Sequence, residues 1–301
     1  MFLDEQLKKY DIETLRGWLR RKVDNYKVAI TYINKSNVVF RGVRCELRPD
    51  KISRISYPPP EAIKTLGRLN REGQSRFYCS PAPPAVFFEL HAKSGDFIAL
   101  SEWEVIEPLW MHNLGFHSQT LRQLGAQERS ISNRQQLTNP ISNETEKNKK
   151  IRHELSRAFT SDVPAGKEYK YKQSIAISEL FLVLPASPLP QMPEGPRHDK
   201  AAGIVYPALK LRGDADNLAL LPEFVESSLK IKSVKYVKVE AVNEALSSYS
   251  VLAIAKAHGF SGDNIEWQEA VEPEEARRSQ IALENGVWVH RDGYNRIYAI
   301  R

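Results

Sequence analysis

The sequence predicts a mixed α+β protein in which short central strands are flanked by helices. Apolar residues recur at helical spacing in residues 1–24, whereas β-branched and aromatic residues are frequent in residues 27–33 and 38–44, which indicates strands. A hydrophobic content of 42% beside 27% charged residues is typical of a globular chain. The 301 residues are enough to bury a sizeable core in one large domain or two modest ones.

The composition and the apolar pattern argue against a disulfide-rich, a zinc-binding, a secreted or a membrane-spanning protein. The two cysteines, Cys45 and Cys79, have no close CxxC partner or histidine cluster, which argues against a disulfide framework and against a zinc site. The first residues lack the pattern of a signal peptide, and no apolar run approaches the roughly 18 residues of a membrane-spanning helix. We therefore expect a soluble, cytoplasmic protein without a membrane partner. The net charge of +6 fits attraction to phosphate groups.

Residues 1–36 are predicted to form an N-terminal helical extension. One face of a helix that ends near residue 24 is marked by Leu3, Leu7, Ile12, Leu15, Trp18 and Leu19. The simplest interpretation is a helical lid with a solvated basic face. The alternative is a nucleic-acid-binding helix, with the cations Arg16, Arg20, Arg21 and Lys22. Because the positive charge is spread along the whole chain, the sequence gives nucleic-acid binding little support.

The next segment, up to residue 100, is predicted to alternate strands with short helices. Strands are predicted over residues 38–44, 77–79 and 97–100, and helices over residues 61–66 and 84–92. Gly67 ends the first helix and Pro84 begins the second. Arg41 and Tyr78 lie on strands, and Glu89 lies on a helix that flanks the core.

Beyond residue 100 the pattern is less regular. Residues 101–160 are predicted to be a surface excursion with partial helices, because their periodicity is weak and their centre is polar. The remaining predicted elements are a helix over 169–184, a proline-rich loop over 186–200, a buried strand over 203–210, an apolar segment over 217–222, a half-exposed strand over 231–242, a helix over 251–258 and a terminal hairpin over 287–300. His112 and His117 lack a third nearby ligand, so we predict no metal site.

Several common catalytic motifs do not occur in the sequence, namely GxGxxG, GxxxxGK[ST], HExxH and GxSxG. The remaining candidates for a functional site are a set of arginines, one tyrosine and Glu89, which lie beside short strands. An ionised carboxylate among Ala, Val, Phe and Leu is costly to bury without a positive partner. We therefore expect Glu89 to be partly buried near arginines, either as a catalytic group or in a buried ion pair with Arg41 or Arg68.

Four short segments between residues 38 and 222 combine arginine, glycine, aromatic and acidic residues. They are Val39-Phe40-Arg41-Gly42; Gly67-Arg68-Leu69-Asn70-Arg71-Glu72-Gly73 followed by Phe77-Tyr78; Ala85-Val86-Phe87-Phe88-Glu89; and Gly203-Ile204-Val205-Tyr206-Pro207 followed by Asn217-Leu218-Ala219-Leu220. Each is weak alone, but in this order and spacing they resemble the RES-domain family. That family is named for an arginine, a glutamate and a serine, and includes toxins of bacterial toxin–antitoxin pairs.

The resemblance implies an ADP-ribosyltransferase-like fold and an enzyme that degrades NAD+ by hydrolysis or phosphorolysis of the nicotinamide–ribose bond. Arg41 matches the family arginine, Glu89 the family glutamate, Arg68 a second arginine and Tyr78 the tyrosine ahead of the glutamate. Ala208 stands at the position of the family serine.

Domain organisation and partners follow from the same resemblance. It implies a RES-like domain over residues 37–301, with the motifs in 38–222 and a C-terminal completion in 223–301. NAD+ is the implied substrate, phosphate a candidate co-substrate, and no metal is implied. A cognate antitoxin that covers the pocket is the implied protein partner, and a homo-oligomer is compatible with the sequence.

The residue types suit this chemistry independently of the family name. Cleavage of an N-glycosidic bond builds positive charge on the ribose, which a fixed carboxylate such as Glu89 stabilises. Planar guanidinium groups bind phosphate oxygens in pairs, so Arg41 and Arg68 suit the pyrophosphate. The ring of Tyr78 could stack on nicotinamide or belong to the core.

Three positions leave alternatives open. Ala208 lacks the family hydroxyl, so the alternative to an enzyme is a catalytically weakened protein that binds NAD+ or another nucleotide. Ser174 could supply a substitute hydroxyl or be an ordinary helix residue. Asn217 is either a substrate ligand or a turn residue. Hydrolysis, phosphorolysis and ADP-ribosyl transfer stay open as reactions.

Overall fold

Two β-sheets and a set of helices make up the fold, which confirms the predicted mixed α+β class. The computed structural model describes residues 2–24, 26–133, 145–183, 199–243, 248–284, 287–292, 294 and 296–300. Most of the predicted proline-rich loop, residues 186–198, lies outside the described residues.

The described helices vary from one turn to four. In chain order they are α1 (Asp4–Lys9), α2 (Ile12–Lys22), α3 (Pro83–Glu89), α4 (Ser118–Leu124), α5 (Glu128–Asn133), α6 (Glu146–Thr160), α7 (Tyr171–Leu182), α8 (Pro222–Ser228) and α9 (Glu274–Arg277). Short 3-10 turns occur at Ile52–Arg54, Pro60–Ala62, Glu168–Lys170 and Leu209–Leu211. None of the helices in the described part of the chain has the length and apolar character needed to span a bilayer.

The first sheet, called sheet A, has five strands. They are β1 (Ile30–Ile33), β3 (Phe77–Cys79), β5 (Leu109–Asn113), β6 (Gly203–Pro207) and β7 (Asp216–Leu220). Their order is β1-β5-β6-β7-β3, in which β5 and β6 run parallel and the other neighbours run antiparallel. Every residue of β5 and β6 is buried, as expected for strands at the centre of a sheet.

The second sheet, called sheet B, has eight antiparallel strands. They are β2 (Val38–Arg44), β4 (Phe97–Val105), β8 (Leu229–Asn243), β9 (Ser248–Ser261), β10 (Asn264–Glu269), β11 (Arg278–Glu284), β12 (Val287–Asp292) and β13 (Ile297–Ile300). Their order is β13-β12-β11-β9-β8-β4-β2, and β10 pairs with β9 beside this path. Lysines alternate with buried apolar residues along much of β8, which confirms the predicted half-exposed strand.

The two sheets meet where an edge strand of each comes together. The N–H of Phe40, on β2 of sheet B, donates to the carbonyl of Ser80 at 2.8 Å, and the N–H of Ser80, next to β3 of sheet A, donates back at 2.9 Å. Helix α3 begins at Pro83 shortly after this junction and packs on β2. The junction therefore brings β2, β3 and α3 together.

The N-terminal segment is interrupted rather than one helix. Tyr10 has an extended backbone between α1 and α2, and the Asp11 carboxylate caps α2 by accepting the N–H of Thr14 at 2.8 Å. Residues 30–33 of the predicted helical extension form strand β1, which pairs with β5. This segment therefore contributes an edge strand to sheet A.

Helix α2 packs against α7 rather than presenting its whole basic face to solvent. Leu15 and Leu19 are buried in the cluster that contains the apolar residues of α7. Arg16 donates to the Glu179 carboxylate at 3.2 Å, and Lys22 pairs with Glu154. Two of the four cations of the alternative nucleic-acid-binding face are therefore paired with acids of the same chain.

The predicted helix over residues 251–258 is wrong, because this segment belongs to strand β9. Alanine, leucine and lysine favour helices on intrinsic propensity, but β9 pairs with β8 on one side and β11 on the other. The ladder hydrogen bonds and the buried residues on one face, such as Val251 and Ala255, outweigh that propensity.

Two further expectations need correction. Residues 101–160 are not only a surface excursion, because they contain the end of β4, the buried strand β5 and helix α6. The helix predicted over 61–66 is limited to the single turn Pro60–Ala62, since Ile63 already has an extended backbone. In both segments the secondary structure depends on the packing partners of a short apolar or proline-bounded run, and not on the periodicity of the run itself.

Candidate active site

A cavity of about 870 Å³ lies at the junction of the two sheets and brings most of the predicted site residues together. Five of the six line it: Arg41, Arg68, Tyr78, Glu89 and Asn217. They come from β2, the loop before β3, β3, α3 and β7. Since these elements are far apart in sequence, their convergence depends on the fold.

Arg41 is a cation fixed by main-chain carbonyls. Its Nε donates to the carbonyls of Ile55 at 3.2 Å and Ser56 at 2.9 Å, and its Nη1 donates to that of Tyr78 at 2.8 Å. Its guanidinium also lies 5.2 Å from the ring centroid of Phe77. Burial lowers the pKa of Arg41 to about 10, so it stays charged at neutral pH. No described residue accepts from its Nη2.

Arg68 is likewise a cation held by main-chain carbonyls. Its Nη1 donates to the carbonyl of Phe159 at 2.9 Å, and both terminal nitrogens donate to that of Ser161 at 3.2 Å. The guanidinium lies 5.4 Å from the ring centroid of Tyr171. Ser174 donates its hydroxyl hydrogen to the carbonyl oxygen of Arg68 at 2.7 Å. Ser174 does not line the cavity, so it positions the loop rather than replacing the family serine.

Tyr78 presents its ring to the cavity while its hydroxyl is already bonded. The hydroxyl donates to Oδ1 of Asn70 at 2.8 Å and accepts the N–H of Leu69 at 3.1 Å. Burial raises the pKa of Tyr78 to about 12, so the phenol is neutral at physiological pH. The group left for a ligand is therefore the aromatic face, and stacking on nicotinamide stays a prediction.

Glu89 is exposed, so the expectation of a partly buried acid is wrong, and so is the alternative of a buried ion pair with Arg41 or Arg68. It is the last residue of α3, whose buried part is Pro84–Phe88, and no described residue forms an ion pair with it. The two arginines bond to main-chain carbonyls instead. Tyr206 also lines the cavity, and its pKa is raised mainly by burial. The negative charge of Glu89 makes a smaller contribution in the same direction. The carboxylate is thus available to a bound molecule.

Ala208 is the predicted site residue that the structure does not bring into the cavity. It is fully buried after β6, in an apolar cluster with Ala85 and Leu211. Its N–H donates to the carbonyl of Ala215 at 2.8 Å, and its carbonyl accepts the N–H of Gly213 at 2.9 Å. A serine hydroxyl at this position would begin inside that cluster, behind the cavity wall.

Asn217 lies within β7, opposite Tyr206 of β6, so the alternative of a turn residue is wrong. The residue is only 5% exposed, it lines the cavity, and no described residue hydrogen-bonds to its side-chain amide. Buried amides are normally bonded. Asn217 is therefore the polar group in the cavity wall with the clearest unused hydrogen-bonding capacity.

The sequence did not single out several residues of the cavity. Lys93 and Lys210 line it, and so does Asp162 in the turn after α6. Lys93 comes soon after Glu89 and Lys210 soon after Ala208, so their proximity in the chain was the signal that could have identified them. Four cations and two carboxylates line the cavity, a surplus of two positive charges.

Two other reactive side chains, Cys79 at the cavity and His112 in the core, are neutral. Cys79 lines the cavity, and burial raises its pKa, so its thiol stays protonated. His112 is buried beside Trp110 and Phe181, and burial lowers its pKa to about 4. The ring of His117 lies next to that of His153 and not next to that of His112. Over the described residues, histidine, cysteine and carboxylate side chains form no group of three or more that could hold a metal ion.

No family model, no curated protein and no solved structure matches this chain.

Proposed function

We propose that this protein degrades NAD+ by cleaving the bond between nicotinamide and ribose in the cavity at the junction of the sheets. The observation that carries the proposal is the convergence of Arg41, Arg68, Tyr78, Glu89 and Asn217 on one cavity. Its volume of about 870 Å³ lies within the usual range for ligand sites, which is roughly 300–1,000 Å³.

The charges of the cavity suit a dinucleotide. The pyrophosphate of NAD+ carries two negative charges, and the cavity has a surplus of two positive charges. Arg41 and Arg68 have fixed guanidinium groups, and Lys93 and Lys210 add charge without ion pairs to described residues. Fixed cations bind phosphate oxygens without the entropic cost of ordering them on binding.

Glu89 has the position and charge for the chemical step. When the nicotinamide–ribose bond breaks, its electron pair leaves with nicotinamide and positive charge develops on the ribose. A carboxylate that no described cation neutralises, at the end of a short helix, can stabilise that charge. Water or phosphate then forms the new bond to the ribose carbon, so hydrolysis and phosphorolysis use the same site.

The same proposal extends to the fold, the protein partner, the oligomeric state and the location of the protein. The fold is proposed to be ADP-ribosyltransferase-like, with sheets A and B meeting at the substrate cavity. The proposed protein partner is a cognate antitoxin that covers this cavity and keeps the enzyme inactive in its host. A homo-oligomer and a cytoplasmic location are also proposed.

Loss of NAD+ over time, followed with the purified full chain with and without phosphate, tests the proposal. We expect turnover by the wild type, and a decrease of about 100-fold or more in the Glu89→Gln variant because the charge on the ribose loses its stabilisation. Glu5→Gln, at an exposed position on α1, is the matched control and should retain full activity. Equal rates in Glu89→Gln and Glu5→Gln would contradict the catalytic role of Glu89.

A second candidate function is nucleotide binding with little or no turnover. It is favoured by Ala208, because no hydroxyl stands at the position of the family serine. In that case the wild type binds NAD+ in a calorimetric titration without consuming it, and Ala208→Ser gains no turnover, because a hydroxyl at residue 208 would lie behind the cavity wall. An inert wild type that also fails to bind NAD+ would rule out both functions.

A further inference from the structure

A second cavity, of about 440 Å³, lies on a face of sheet B away from the proposed active site. Its walls come from sheet B, α3 and α9, and its apolar lining includes Phe87, Leu100, Val237, Tyr249, Val251 and Ile281. The rings of Phe87 and Tyr249 are stacked, with centroids 4.2 Å apart. None of its lining residues lines the first cavity.

The carboxylates that line this second cavity already have cationic partners. Glu102 accepts from Lys232 at 2.8 Å and from the hydroxyl of Ser233 at 3.0 Å. Glu272 accepts from Lys256 at 3.2 Å. Each acid is therefore already paired, and the charge of Lys235 acts on Glu102 only from beyond ion-pair distance.

Two cations of the second cavity have no carboxylate partner in the described part of the chain. Lys235, on β8, lines the cavity and forms no ion pair there. Arg277, at the end of α9, uses Nη1 to bond the carbonyl of Ala253 at 3.1 Å, whereas its Nε is buried without an acceptor among the described residues. Lys235 and Arg277 are thus the cations of this cavity that no described carboxylate meets at ion-pair distance, and an anionic group in the cavity would complement them.

Helix α9, which carries Arg277, is held over sheet B by ion pairs of Arg278, the next residue in the chain. Arg278 donates to Glu240 on β8 and to Glu274 on α9, both at 3.0 Å. The Arg277 guanidinium, which bonds the carbonyl of Ala253, lies at the edge of an apolar cavity. An apolar chamber with a few convergent polar groups is the usual form of a small-molecule site.

We propose that the second cavity binds an organic anion with an apolar body, which fills the chamber while its anionic oxygen meets Arg277 and Lys235. This site goes beyond the proposed NAD+ activity and does not depend on it. It also lies back to back with the first cavity, because Phe40 and Phe87 line it while Arg41 on the same strand and Glu89 on the same helix line the other.

A fluorescence titration of the full chain with two dyes tests this site. Anilinonaphthalene sulfonate has an apolar aromatic body and one anionic group, and N-phenylnaphthylamine has the same body without the charge. We expect saturable binding of the sulfonate at one molecule per chain. Arg277→Gln should raise its Kd about tenfold, because a charge-assisted hydrogen bond is lost, and should leave the Kd of the neutral dye unchanged.

Matched variants separate this site from general attraction of a dye to a basic protein. Arg20→Gln removes the same charge from the exposed face of α2 and should leave both Kd values unchanged. Ala253→Phe fills the chamber and should abolish binding of both dyes, with circular dichroism as the check on folding. The proposal is overturned by the lack of saturable binding, by equal Kd values in Arg277→Gln and Arg20→Gln, or by dye binding that persists in a folded Ala253→Phe variant.

Discussion

Two asparagines line the candidate active site, and their hydrogen bonds assign them different roles. The side chain of Asn70 accepts from the Tyr78 hydroxyl at 2.8 Å and donates to the carbonyl of Arg71 at 3.0 Å. The side chain of Asn217 has no hydrogen-bond partner among the described residues. Asn70 therefore stabilises the loop that carries Arg68, whereas Asn217 is free to bind a ligand.

Substitution of each asparagine by alanine distinguishes these roles. Asn70→Ala leaves the buried Tyr78 hydroxyl without its acceptor, so we expect a loss of about 1–3 kcal/mol in the free energy of unfolding. Asn217→Ala should cost less stability but raise the Kd for NAD+ about tenfold. Urea unfolding and calorimetric titration measure the two effects. A larger loss of stability in Asn217→Ala than in Asn70→Ala would contradict this division of roles.

At the level of elements, the position of Glu89 depends on how closely α3 packs on β2. Gly42 on β2 makes this contact possible, because a Cβ there would lie 2.3 Å from Cγ1 of Val86 and 2.9 Å from Cδ1 of Leu90. A side chain at residue 42 must therefore displace the side chains of Val86 and Leu90, and because the branched Val86 has little rotamer freedom on a helix, we expect α3 to shift with it. Since Glu89 ends α3, such a shift would also move the proposed catalytic carboxylate.

Gly42→Ala tests this packing. We expect a loss of about 1–3 kcal/mol in stability and a lower rate of NAD+ turnover in the folded fraction, because α3 is displaced. Gly17→Ala is the control, since a Cβ at that exposed helix position meets no atom within 4 Å. It should stabilise the protein by about 0.5–1 kcal/mol. If Gly42→Ala is as stable and active as the wild type, close packing of α3 does not position Glu89.

At the level of the whole molecule, local patterns predicted elements well where burial and periodicity agreed. The β-branched and aromatic content of residues 38–44 predicted strand β2 with its observed bounds, Val38–Arg44, and the apolar run at Gly203–Pro207 is the buried strand β6. The helix predicted over residues 251–258 failed because pairing with β8 and β11 is a long-range effect that alanine-rich sequence does not encode locally.

The candidate site was predictable only in part, because its contacts also join segments that are far apart in the sequence. Glycines, arginines and aromatic residues in short motifs identified Arg41, Arg68 and Tyr78, which all line the cavity. The sequence could not show that these arginines bond to main-chain carbonyls, and so it left an ion pair with Glu89 open as an alternative to catalysis. Ion pairs between distant segments depend on the junction of the two sheets, which no local pattern describes.

The response of the whole fold to pH gives a further test. His112 is 4% exposed on β5 at the centre of sheet A, and burial lowers its pKa from 6.5 to about 4. Because the unfolded chain binds a proton at a higher pH than the folded chain, the stability from neutral His112 is complete above pH 6.5 and is lost as the pH falls to about 4. The loss should be about 3 kcal/mol.

His112→Leu should weaken this dependence, because leucine keeps an apolar side chain between Trp110 and Phe181 and binds no proton. We expect the free energy of unfolding in urea to fall less steeply between pH 6.5 and 4 than in the wild type. His117, whose pKa is also lowered to about 4 by burial, contributes in the same direction and accounts for a remaining slope. Equal slopes in His112→Leu and the wild type would mean that His112 is charged, or solvated, in the folded protein.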